Sequence, residues 1–164
     1  MFLTVLPALL VACMSASVRG FVVPGGLVTG SGSAVVFHAH GPSNTSPASG
    51  KIIEYTVVEV NEGQGYNASN GVFMAPAGGM YMFSTQTCIW SNTFVLIAII
   101  KEGVVVQPSA LYDTSPGYAP CFSSQAFVRL SAGQRVWVES RRTNNGNMLF
   151  EDEGRWTSFS GVLL

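Results

Sequence analysis

Charge is what this chain has least of. Its 164 residues carry 8 Lys and Arg and 9 Asp and Glu, 10% of the total, for a net charge of −1. Soluble domains average about 25% charged residues. No basic field is available to hold a phosphate backbone, which argues against nucleic-acid binding. Histidine is nearly as scarce, with only His38 and His40. Spaced by two on a strand, they share one face. No Cys, Asp or Glu stands beside them at ligand spacing, so no metal centre is specified. Both are read as surface strand residues. A serine–histidine–acid triad would need one of them. No Gly-x-Ser-x-Gly elbow is present either, since Ser33 in Gly30-Ser-Gly-Ser-Ala34 departs from that pattern. The chain is therefore read as non-enzymatic.

Long apolar runs are also missing beyond the start of the chain. Phe2 to Met14 is apolar, and Ser15 and Ser17 supply small residues before a cut after Ser17. This is signal-peptide architecture, and the run is short of the roughly 20 residues of a membrane helix. Phe94 to Ile100 is strand-sized, and no other candidate span exists. Residues 1–17 are expected to be a signal peptide and the product to be secreted. Residues 18–33, with Pro24-Gly25-Gly26 and Gly30-Ser31-Gly32, read as a flexible leader. Gly at every third position and sustained heptads are both absent there, so neither a collagen stalk nor a coiled coil is expected. Of the 3 cysteines, Cys13 falls in the signal peptide. Cys88 and Cys121 remain, an even count in an oxidising route, which allows one disulfide. Free thiols or a bond between subunits are the alternatives. Low charge with 48% apolar residues fits surface hidden in an oligomer, and equally the ordinary composition of secreted β-rich chains.

What is present from residue 34 onward is β signal. Residues 34–40, 52–60, 80–90, 94–101, 104–106, 125–130, 136–140 and 159–164 are short β-branched or aromatic runs. Ser, Gly, Asn and Pro punctuate them, and helical periodicity is absent. Many short strands with frequent turns predict a sandwich or jelly roll. Aromatic residues then stand in a fixed register at Tyr55, Tyr66, Phe73, Tyr81 and Phe83, with Asn61, Gly71, Pro76 and Gly79 between them. Leu130, Gly133 and Val136-Trp137-Val138 follow, and Phe159-Ser160-Gly161-Val162-Leu163-Leu164 closes the chain. Together these resemble the complement C1q globular-head domain, related in fold to tumour necrosis factor. Tyr55 departs from the usual Phe, and Thr85 stands where Phe or Tyr usually closes the pattern. The resemblance covers about residues 34–164. It implies an all-β, ten-stranded jelly-roll sandwich assembled as a homotrimer, with Tyr66, Phe73, Tyr81, Phe83, Trp137 and Phe159 in core and interface positions. Gly161 would let a ring or a neighbouring chain approach its strand, and Pro76 should lie in a loop or at a strand start.

Function is then expected in the loops. Arg141 and Arg142, followed by Thr143-Asn144-Asn145-Gly146-Asn147, form the most ligand-like stretch, two guanidinium forks beside amides. An exposed hairpin tip with incidental charge is the plain alternative. Asn44 and Asn67 head glycosylation sequons. Asn44, in a Pro/Ser/Thr-rich loop, is the better acceptor, because Asn67 follows Tyr66 directly. The triplet Glu151-Asp152-Glu153 reads as a solvated turn. Calcium there, or at Asp113, would need oxygens from several segments, and no other cofactor is implied. The resemblance implies binding of microbial glycans, lipopolysaccharide or other polyanions in innate defence. A protein receptor of the cerebellin or adipokine sort, or a role in extracellular matrix, is the alternative. Without a stalk, activation of complement proteases is not expected.

Overall fold

The structure, a computed structural model, describes residues 34–114, 117–143 and 148–164, the side chains of residues 142 and 143 excepted. The expected signal peptide and leader, Asn144 and Asn145 lie outside the described residues. Ten strands occur: β1 (Val36–Pro42), β2 (Tyr55–Glu62), β3 (Tyr66–Asn67), β4 (Val72–Met74), β5 (Gly79–Cys88), β6 (Phe94–Lys101), β7 (Val104–Tyr112), β8 (Cys121–Leu130), β9 (Arg135–Thr143) and β10 (Ser158–Leu163). They form two five-stranded sheets, ordered β2-β1-β10-β5-β8 and β3-β4-β9-β6-β7. All pairings are antiparallel. Alternate residues face the space between the sheets, as in other sandwiches, and the fold is the expected all-β jelly roll.

Aromatic rings fill that space. Phe37, Tyr55, Phe73, Tyr81, Phe83 and Phe159 are fully buried, and Tyr66 nearly so. Phe37 stacks on Tyr66 at 4.9 Å and meets Phe159 edge-on at 5.0 Å. Each such burial is worth roughly 1.5–3 kcal/mol. The rings close up because Gly161 carries no side chain. A Cβ there would stand 2.5 Å from Phe37 and 2.7 Å from Phe83. The Asn61–Tyr66 spacing has an equally direct cause. Asn61 donates to the Tyr66 carbonyl at 2.8 Å and accepts from the Tyr66 amide at 3.1 Å. The Tyr66 hydroxyl in turn accepts from the Tyr55 amide and donates to the Tyr55 carbonyl. Gly71 has φ +71°, and a Cβ would lie 2.6 Å from the Ile53 carbonyl. Pro76 lies in the loop between β4 and β5.

Trp137 does not sit in the core between the sheets. Its neighbours Val136 and Val138 are fully buried, and alternation turns the indole to the outer face of the second sheet. There it is half-buried and donates to Glu139 at 3.3 Å.

The register also separates two ends. β1 begins and β10 finishes together, at Val36 and Val162. Residues His40, Ser158, Gln86 and Ser123 pair across the sheet toward the other end. The turn after β5, the start of β6 and the segment before β10 gather there, away from Val36 and Leu163.

Candidate functional site

Three aromatic residues and a histidine organise the distal end. β5 stops at Cys88, which is bonded to Cys121 directly across from it on β8. The next residues are held by the segment before β10. Ile89 bridges Leu149, the Trp90 amide donates to the Met148 carbonyl at 3.0 Å, and the Phe150 amide donates to the Cys88 carbonyl at 2.9 Å. Trp90 and Phe150 therefore meet in a T-shaped contact with centroids 4.5 Å apart. The guanidinium of Arg155 lies over the Phe150 ring at 4.7 Å and pairs with Asp152 at 2.7 Å. This pairing holds the Asp152 carboxyl below its usual range and the guanidinium above its own. Trp90 keeps 44% of its surface in solvent.

His40 contradicts its reading as a surface residue. It is 7% exposed, and its ring lies flat on Trp156, with centroids 3.9 Å apart. Its Nδ1 donates to Glu151 at 2.7 Å, and Nε2 faces Glu59 at 3.4 Å. The same-face expectation for the histidines is met, since Phe37 and Ala39 fill the core face between them. His38 instead pairs with the Ser160 hydroxyl at 2.7 Å. Glu151, Asp152 and Glu153 are correspondingly not a plain solvated turn. Glu151 accepts from His40 and from the Gly41 amide, and Asp152 from Arg155 and the Gly154 amide. Each of these two carboxylates thus carries protein donors, and no group of three or more His, Cys, Asp or Glu among the described residues is placed to hold a metal ion.

The arginine pair also differs from its reading as a loop tip. Arg141 and Arg142 are strand residues at the end of β9, beside a register shift opposite Leu96 and Ile97. Arg141 is exposed but pairs with Glu139 on its own strand at 2.7 Å. Part of its charge is thus already neutralised. Asn44 and Asn67 are both exposed, and each side-chain oxygen accepts from the amide two residues on, Ser46 at 2.8 Å and Ser69 at 2.9 Å.

A second surface lies on the outer face of the first sheet. Val36, Val162, Met82 and Phe127 stand in register across four strands, forming an apolar row. Phe127 is 66% exposed. The adjacent row is polar: His38, Ser160, Ser84 and Gln125. Sequence reasoning found neither this row nor the Trp90–Phe150–Arg155 group. The row joins residues from four strands, and the group joins the turn after β5 to the segment before β10.

Such a jelly roll with its aromatic core is that of the C1q and tumour necrosis factor folds. Residues 36–164 match the C1q domain, and the chain belongs to that family. It is 29% identical over 119 residues to human complement C1q and tumor necrosis factor-related protein 9A, covering 72% of this chain and 34% of that protein. It is 30% identical over 113 residues to mouse complement C1q tumor necrosis factor-related protein 3, covering 68% and 44%. The chain thus spans a third to under half the length of these relatives. In fold it resembles the globular domain of zebrafish complement 1qA, with a TM-score of 0.58 and 16% identity over 79% of this chain and 97% of that one. It likewise resembles murine APRIL, with a TM-score of 0.60 and 17% identity over 80% and 99%. Among the described residues, no helix is long and apolar enough to cross a membrane.

Proposed function

We propose that this chain is a secreted, non-enzymatic recognition protein that works as a homotrimer. Its distal loops bind carbohydrate on microbial or other cell surfaces as part of innate defence. The observation that carries the assembly is the apolar row Val36–Val162–Met82–Phe127. A monomer leaves it in water, whereas an oligomer buries it. Three copies of the distal end then face one way, so weak contacts gain avidity. The names of the relatives, which join C1q to tumour necrosis factor, favour a second reading, a secreted ligand of a protein receptor. Both use the same trimer. A glycan array probed with the purified secreted chain separates them. Retention on surface glycans supports the first reading. A blank array, with saturable binding to cells stripped of surface glycans, selects the second.

A further inference from the structure

The distal end holds an open cleft of about 490 Å³ between Gly41–Pro42 on one side and Leu149–Asp152 on the other, with Thr45 and Trp90 completing its wall. Its size lies within the ~300–1,000 Å³ of small-ligand sites. Its wall combines a flat apolar surface with hydrogen-bond acceptors. Trp90 supplies the surface, partly open to solvent. The acceptors are carboxylates: Glu151, with Oε1 toward His40 and Oε2 toward the Gly41 amide, and Asp152. A carboxylate accepts about four hydrogen bonds, so Glu151 retains capacity for a ligand hydroxyl.

The indole is fixed in advance. Its backbone is tied to Met148, its ring is braced edge-to-face by Phe150, and Phe150 is capped by Arg155. The Cys88–Cys121 disulfide closes the strand end beneath it. Little side-chain freedom remains to be lost on binding.

The chemistry of the wall selects the ligand. A pyranose ring has an apolar C–H face that lies on an indole and a rim of hydroxyls that donate to carboxylates. No Lys or Arg lines the cleft among the described residues, and the nearest guanidinium, Arg155, is paired with Asp152. Sulfated or phosphorylated sugars would meet like charge.

We infer that this cleft is a binding site for neutral pyranose sugars, with Trp90 as the stacking platform and Glu151 as hydroxyl acceptor. This rests on the carbohydrate reading above and narrows it to uncharged sugars at a place away from Arg141 and Arg142.

The test passes the full secreted chain over immobilised mannan, β-glucan and galactan, and over heparin. The expected result is retention on at least one neutral polysaccharide, release by its free monosaccharide, and indifference to about 0.5 M salt, where screening reaches within a few Å. Trp90→Ala should weaken retention about tenfold or more, a loss of about 1.4 kcal/mol or greater. Trp90→Phe, which keeps a ring and tests for simple misfolding, should retain part of it. Unchanged retention by Trp90→Ala overturns the inference. So does retention on heparin alone, which leaves surface recognition standing and moves it to the basic end of β9. No retention on any matrix removes both the cleft and the carbohydrate reading, and leaves the receptor ligand.

Discussion

Tyr55 shows what a single oxygen costs in a packed core. Its ring is fully buried, and among the described residues its hydroxyl has no hydrogen-bond partner. An unsatisfied buried polar group costs about 1–3 kcal/mol. Tyr55→Phe should therefore raise stability by about 1 kcal/mol, read as a shift in denaturation midpoint with an unchanged slope. A fall in stability would show that the hydroxyl is paired in solution. Tyr66 makes a complementary case. Burial, its main cause, pushes the phenol up from 10.0 to about 12, with a smaller push from Glu54, and burial raises Tyr55 as well. In each case the neutral form is favoured in the folded state. Stability from these groups is complete below pH 10 and is lost as pH rises from about 10 toward 12. Alkaline titration should show unfolding in that window, with the phenolate absorbance of both tyrosines appearing together with it. Ionisation of both while the fold persists would contradict the burial.

At the scale of strands, the disulfide and the sheet edges matter most. Cys88 and Cys121 face each other at the end of β5 and β8, with a sequence separation of 33. The chain-entropy relation gives about 3–4 kcal/mol for a loop of that size. Replacing both with Ala should lower stability by that amount and free the backbone beneath Trp90, which urea denaturation would measure. A loss below 1 kcal/mol would show that strand pairing alone fixes this end. Much of the element plan was legible. The run Phe94–Lys101 coincides with β6, and the runs 52–60 and 80–90 overlap β2 and β5, while the short β3 and β4 were not among the expected strands. The misreadings have physical reasons. β7 was expected to stop at Val106 but continues to Tyr112, because Pro108 sits on an edge strand where its missing amide goes unneeded. β8 starts at Cys121 rather than Gln125, since pairing with β5 outweighs the turn preference of Ser123 and Ser124. The surroundings of Trp137 and His40 were not legible for a related reason. Periodicity shows which residues share a face, but not which face is covered. Trp156, more than a hundred positions away in sequence, is what buries His40.

For the whole molecule, assembly is proposed for the outer face of the first sheet and recognition for the distal end. One face carries an apolar row across four strands beside a polar one, and the far end carries a braced indole and a polar cleft. A chain with so few charges gains solubility by covering the first and leaving the second free. The central claim is that this face closes a trimer. Multi-angle light scattering of the purified chain at micromolar concentration, compared with Phe127→Asp, tests it most directly, because Phe127 is exposed in the protomer and in register with Met82. The predicted result is three times the protomer mass for the natural chain and a shift to protomer mass for the variant, with the β-sheet spectrum retained. A natural chain that elutes at protomer mass, or a Phe127→Asp trimer that is unchanged, would contradict it.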